Sequence, residues 1–279
     1  PEAVALACHH DPNTVFYHHL LKDLYGSPNM YAHTSGCEQD RRSACLTLFG
    51  HVFPMHDFAN SKYVMLWGMN NLGANQGLWE SRDLIEAQSK GCRLVVVDPS
   101  FTETAQKADE WVPIRPGTDG AMALAMCRVI IDDKLYDEEF VTKYCEGFNG
   151  FRDHLHEKGY TPAWAEEICG IEAETIARLA REFATSKPAM SAIFKGSGYY
   201  TNGHDAGRAC YILDAICGEV DKPGNINLKD WAPLGSPVEI PEDAMSTLKK
   251  DPLHVAMGYP LAPDLPNSKL PDAVIKGDP

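Results

Sequence analysis

The sequence predicts an α/β fold built on a doubly wound, mostly parallel sheet, with part of a second α/β domain. Three observations carry this. The runs Tyr63 to Trp67, Arg93 to Val97 and Ala189 to Phe194 are apolar at nearly every position, as strands buried on both faces are. Amphipathic helical patterns fall between these runs. Each run closes in a turn of small or polar residues, and strand alternating with helix is the grammar of a parallel sheet.

Taken in order, Asn13 to Tyr25 reads as a helix, because Phe16, Leu20, Leu21 and Leu24 share one face; Gly26-Ser27-Pro28-Asn29 breaks it. Ser43 to Phe49 is a short helical stretch. The first apolar run ends at Gly68, and Leu78 to Lys90 is a polar-faced helix stopped by Gly91. The second run closes in Asp98-Pro99. Trp111 to Ile114 is a short strand, after which Pro116-Gly117-Thr118-Asp119 turns into a helix over Gly120 to Asp132. Asp137 to Tyr144 is a short acidic helix. Thr161 to Ala184 holds two helical pieces, the second with Ile176, Leu179, Ala180 and Phe183 on its inner face. The third run leads into Gly196-Ser197-Gly198, and His204 to Cys217 is a helix. Beyond Leu228 prolines become frequent and periodicity fades, so this tail reads as extended loops ordered by contacts with other polypeptide.

Composition sets limits. The chain has 279 residues and a net charge of −14, which argues against a nucleic-acid partner and leaves an anionic ligand to be held by local backbone amides. The nine cysteines contain no CxxC pair, so neither a zinc ribbon nor an iron–sulfur loop is signalled. No signal peptide or membrane-length apolar run is present. The start at Pro1 and the stop after Lys276-Gly277-Asp278-Pro279 read as cuts through a longer protein, and no compartment, bacterial or archaeal cytoplasm or periplasm, is assigned.

Chemistry is expected where the three buried runs end, because carboxyl ends of parallel strands line up along one ligand-binding edge. There stand Gly68-Met69-Asn70, Asp98-Pro99-Ser100 and Gly196-Ser197-Gly198. Glycine admits a diphosphate to the backbone, and a strand-end carboxylate accepts from ribose hydroxyls. Any one of these turns alone more often just ends a strand. A strict GxGxxG is missing, which counts against a nicotinamide or flavin enzyme, the first alternative.

The combination is more specific. Trp67-Gly68-Met69-Asn70 is followed by Val97-Asp98-Pro99-Ser100, Thr102, Thr104-Ala105, Ala108-Asp109 and Ile114-Arg115-Pro116-Gly117-Thr118-Asp119; later come Gly196-Ser197-Gly198, Thr201-Asn202-Gly203, Arg208-Ala209 and Asp221-Lys222-Pro223-Gly224. In this order the chain resembles, from about residue 20 to 230, the catalytic subunit of the bis(molybdopterin guanine dinucleotide) oxidoreductases, the dimethyl-sulfoxide-reductase family. The resemblance implies residues 1–30 as part of a flanking α/β domain, 31–185 as a Rossmann-like dinucleotide-binding domain with the metal-ligand loop, and 186–279 as a second α/β segment with the proline-rich tail. It implies that Asn70, beside Gly68, contacts the cofactor near the diphosphate. Asp98 holds the guanosine ribose; Gly117, Thr118 and Asp119 surround the guanine, with Asp119 suited to accept from N1–H and the N2 amine. Gly196, Gly198, Thr201 and Asn202 line the pterin side. Ser100 stands where many relatives carry arginine, which removes the expectation of a charge-assisted contact there.

Cys37, in His33-Thr34-Ser35-Gly36-Cys37-Glu38, occupies the loop that in the resembling family presents the protein ligand to molybdenum or tungsten; thiolate is a soft donor suited to such a metal. A lone cysteine is more often a buried hydrophobe, but the surrounding pattern favours the ligand, with Ser35 and Cys45 as fallbacks. His33 is either a proton relay near the metal or a solvated loop histidine. His9-His10, His18-His19 and Arg41-Arg42 read as polar surface. The implied activity is oxygen-atom or electron-pair transfer on a small-molecule substrate, with the thiosulfate, polysulfide and acetylene-hydratase-like branches nearest. The alternatives are a non-redox hydratase of the same family or a metal-free scaffold subunit. The implied partners are the remaining parts of the same catalytic subunit, carrying a 4Fe-4S cluster and the second dinucleotide site, and an iron–sulfur electron-transfer subunit.

Overall fold

In the computed structural model, which describes residues 4–8, 16–17, 19–32, 36–74, 78–229, 265–266 and 270–277, the chain divides into two units, Pro1–Gln39 with Asp230–Pro279, and Asp40–Lys229. In the first, strands β1 (Ala5–Cys8), β2 (Asn29–Ala32) and β9 (Leu265–Pro266) form a parallel sheet in the order β1-β2-β9. His19–Leu24 is a π-helix where the periodicity predicts an α-helix. Tyr25 N–H donates to the Leu20 carbonyl at 3.0 Å, five residues back, and that wider turn ends at Gly26. Strand β2 starts at Asn29, inside the stretch read as a breaker. The expected tail falls mostly outside the described residues, which there comprise β9 and a helix over Leu270–Lys276.

The second unit is built on a four-stranded sheet of β4 (Tyr63–Trp67), β5 (Arg93–Val97), β6 (Glu110–Val112) and β7 (Ala189–Ile193), in the order β6-β5-β4-β7 and parallel throughout. All five residues of β4 and of β7 are buried, as the apolar runs predict. Helices flank the strands: α1 (Gln39–Phe49), α2 (Asn71–Ala74), α3 (Leu78–Ser89), α4 (Asp119–Asp132), α5 (Glu138–Tyr144), α6 (Phe148–Glu157), α7 (Pro162–Cys169), α8 (Ala173–Thr185), α9 (Lys195–Gly198) and α10 (Gly203–Cys217). The expected boundary at residue 185 does not divide the sheet, because β7 lies beyond it and pairs with β4 from Tyr63↔Ala189 to Trp67↔Ile193. The short strands β3 (Met55–His56) and β8 (Ile226–Asn227) pair antiparallel and tie the two ends of the unit together.

The topology reverses at β4. Its first crossover leads through α3 to β5 on one side, while β7 arrives on the other after the long run α4 to α8. Ligands of open parallel sheets bind beyond the strand carboxyl ends at such a reversal.

Candidate functional site

At the reversal, β4 and β7 end against each other through glycine. Gly68 has φ +56°, and a Cβ there would lie 2.5 Å from the Ser197 nitrogen and 2.6 Å from Gly196 Cα. Gly196 N–H donates to the Gly68 carbonyl at 3.0 Å, and Gly68 N–H to the Val97 carbonyl at 2.9 Å. Only glycine satisfies both the left-handed backbone and the main-chain approach. Gly68 and Gly196 are therefore brought together, and their backbones form the floor of the carboxyl edge. Gly198 is buried one turn on, against the carboxylate of Asp40.

Asn70 follows Gly68, and its amide holds the loop after β5. Its Oδ1 accepts from the Thr104 hydroxyl at 2.7 Å and the Thr104 N–H at 3.2 Å, while its Nδ2 donates to Glu103 at 2.9 Å. Thr104, fully buried, also accepts from Leu72 N–H at 3.0 Å. This lock is what the Thr104-Ala105 part of the sequence pattern does.

Asp98 ends β5. Its Oδ1 accepts from Ser100 N–H at 2.8 Å, and its carbonyl accepts from the Trp111 indole at 2.8 Å. Burial raises its pKa above the ordinary carboxyl value, opposed by the Ser100 N–H. The Ser100 side chain is exposed. Asp119, the first residue of α4, is 4% exposed. Burial pushes its pKa up to about 6; its own backbone N–H opposes the rise and the charge of Asp98 adds to it. The structure thus sets two carboxyl groups within each other's field at the carboxyl edge. Such a pair is matched by a ligand offering N–H and O–H donors.

The turn before α4 and the turn before α10 meet. Asn202 Nδ2 donates to the Gly117 carbonyl at 3.1 Å, and the Thr118 hydroxyl donates to the Arg115 carbonyl at 2.6 Å. Gly120 and Ala206, one on each helix, approach so closely that a Cβ on Gly120 would lie 3.1 Å from Ala206 Cα. The amino ends of two long helices therefore open at one place, where their N–H groups favour an anion. Thr201 and Asn202 are exposed there. Arg115 is occupied elsewhere, since its guanidinium donates to the Glu167 and Ile168 carbonyls at 2.7 and 3.1 Å and closes the carboxyl end of α7. Tyr200, an exposed ring beside the glycine-rich turn, was not singled out from the sequence, although its neighbourhood was the signal.

Cys37 belongs to the other unit. It is a half-buried free thiol in the turn before α1. His33 and Ser35 lie outside the described residues. Cys45 is fully buried in α1, and desolvation pushes its thiol pKa up to about 12, the behaviour of a small hydrophobe.

A family model described as molybdopterin oxidoreductase matches residues 2–263. The molybdopterin-containing subunit of thiosulfate reductase from Salmonella typhimurium is 33% identical over 230 residues, covering 82% of this chain and 30% of that protein. The molybdopterin-containing subunit of arsenate respiratory reductase from Chrysiogenes arsenatis is 33% identical over 238 residues, covering 77% of this chain and 28% of that protein. Among solved structures, acetylene hydratase from Pelobacter acetylenicus is similar with a TM-score of 0.63 and 36% identity, covering 70% of this chain and 26% of that one. The chain thus spans less than a third of the length of the relatives it matches.

Proposed function

The chain belongs to the molybdopterin oxidoreductase family, and from that premise we propose that the carboxyl edge of its four-stranded sheet holds a guanine dinucleotide arm of the cofactor. The observation that carries this is Asp119, a buried carboxyl acceptor whose charge is opposed by burial and by Asp98. Guanine presents N1–H and an N2 amine side by side, the donor pair that relieves such a group. Adenine presents an acceptor at N1 and does not. Asp98 accepts from the ribose, and the amino ends of α4 and α10 stabilise the diphosphate through backbone N–H groups. Gly68 and Gly196 keep the floor of the edge free of side chains, Asn70 fixes the adjoining loop, and Gly198 borders the pterin; Thr201 and Asn202, expected on the pterin side, are assigned instead to the guanine end with Gly117, to whose carbonyl Asn202 donates.

Cys37 is proposed as the protein ligand to the metal, and His33, four positions earlier in the sequence, as a proton carrier. When bound, a pterin-held molybdenum or tungsten supplies two-electron redox chemistry. The chain's residues orient the cofactor and exclude water from its nucleotide end. The activity of the whole protein is then oxygen-atom or electron-pair transfer on a small substrate. A second pterin dinucleotide, a 4Fe-4S cluster and an iron–sulfur partner subunit belong to the same reading. The likeness to acetylene hydratase supports a second one, in which the metal acts as a Lewis acid and water is added without net redox.

Purification of the protein under anoxic conditions, as its cell makes it, tests this. Acid release of the cofactor should yield GMP together with molybdenum or tungsten, and Asp119→Ala should lower both. Release of a cytidine nucleotide, or of none, would remove the guanine assignment. Viologen-linked reduction of thiosulfate, arsenate or a sulfoxide, set against hydration of acetylene, separates the two activities.

A further inference from the structure

We propose that Tyr200 is a positioning residue that stacks on the guanine base and fixes its plane while Asp119 reads its edge. The inference rests on the guanine-site reading above. The ring of Tyr200 lies directly on the Gly117 backbone: a Cβ at Gly117 would come 3.0, 3.1 and 3.4 Å from its Cγ, Cδ1 and Cδ2. Gly117 has φ +75°, so glycine there serves the turn and makes room for the ring.

The ring is held at its root. Gly203 N–H donates to the Tyr200 carbonyl at 2.9 Å, and Asn202 Nδ2 ties the same turn to the Gly117 carbonyl at 3.1 Å. Tyr200 is nevertheless 41% exposed, so part of its ring is open to solvent at the turn that leads into Asp119. A purine whose edge is hydrogen-bonded to Asp119 leaves its two faces to be covered. An anchored aromatic ring covers one at little entropic cost, because a tyrosine has few rotamers to lose. Stacking tolerates any base, whereas the Asp119 carboxyl discriminates by edge, so the two residues separate affinity from selectivity.

That separation gives the test. The full chain, produced in a host unable to make molybdopterin, is titrated calorimetrically with GMP and with AMP. Ultraviolet difference spectra record the hypochromism of a stacked base. Tyr200→Leu should weaken GMP about tenfold or more, abolish the hypochromism and leave the preference for GMP over AMP in place. Tyr200→Phe should bind and stack as the parent does. Asp119→Asn should lose the preference while the hypochromism persists. If the parent chain shows no Asp119-dependent preference for GMP, the guanine-site reading falls and Tyr200 with it. If that preference is present but Tyr200→Leu binds and stacks like the parent, or Tyr200→Phe is as weak as Tyr200→Leu, the site stands and the stacking role is overturned. Thermal melts of both Tyr200 variants should match the parent, since the position is partly exposed.

Discussion

Asp119 sits where folding and binding make opposite demands. It is 4% exposed, lies in the field of Asp98, and its pKa is raised from 3.8 to about 6. A carboxyl group held more tightly protonated in the native state than in the unfolded chain loses stability as pH rises. The loss begins near the unfolded pKa, is complete above the folded one, and reaches about 3 kcal/mol at neutral pH for a rise of about two units. Asp119→Asn keeps the shape and removes the charge. The cofactor-free variant should therefore melt higher than the parent at pH 7, by up to about 3 kcal/mol in stability, with the gain vanishing toward pH 4. Its affinity for guanine nucleotides should fall, as expected where a site is kept at a cost to the fold. Melts across this pH range check the first part; a variant less stable than the parent at pH 7 would show that the carboxylate is satisfied by the fold itself.

At the scale of elements, the strand that completes the site also needs its open side closed. Strand β7 is an edge of the sheet, yet Ala189 N–H donates to the carboxylate of Glu219 at 3.2 Å and Ser191 N–H to Asp214 at 2.8 Å. Two buried acids at and just beyond the end of α10 thus take the place of a further strand. The Ser191 hydroxyl also accepts from the Trp67 indole at 2.9 Å, which links this edge back to β4. Asp214 is fully buried, its Oδ2 has no partner, and burial raises its pKa well above the ordinary carboxyl range. Burial favours its neutral form, so Asp214→Asn, which keeps the acceptor for Ser191, should unfold in urea close to the parent. Asp214→Ala should lose about 1–3 kcal/mol by orphaning that N–H, and equal losses in both variants would show that the ionised carboxylate is required. None of this was legible in the sequence, where an acid in a helical pattern reads as a solvated face. Strands β4 and β5 were legible, because Tyr63–Trp67 and Arg93–Val97 are apolar on both faces and end in Gly68 and Asp98-Pro99. Helix α6 was not: Gly147 and Gly150 weaken its signal, and it is fixed by burying Leu155. The π-helix at His19–Leu24 shares its apolar spacing with an α-helix, so periodicity could not separate them.

Over the whole molecule, the pattern that points to the cofactor is divided between the two units. The nucleotide-edge residues Gly68, Asn70, Asp98, Gly117, Asp119, Gly196 and Asn202 all fall in Asp40–Lys229, while Cys37 falls in the other unit. The strand-end motifs were readable because each marks a local turn. The division was not, because β1, β2 and β9 join positions far apart in the chain, and short strands carry little periodic signal. The buried apolar cluster among the described residues runs from Ala44 to Ile226, and the pairing Met55↔Asn227 closes the unit within Asp40–Lys229. A segment that contains its own core and its own closing strand pair has what an independent domain needs. The fragment Asp40–Lys229 is therefore expected to fold alone, with one cooperative thermal transition near that of the corresponding unit in the full chain. It should also bind GMP in an Asp119-dependent way, since every residue assigned to the guanine end is present. It should retain no molybdenum or tungsten, because the proposed ligand Cys37 is outside it and the fragment is assigned only one of the two pterin dinucleotides. Calorimetry, GMP titration and metal analysis on the one fragment test all three. A broad, non-cooperative melt would mean that the sheet depends on the other unit. A cooperative fold that retains metal at full stoichiometry would show that neither Cys37 nor the second dinucleotide site is needed to hold the cofactor.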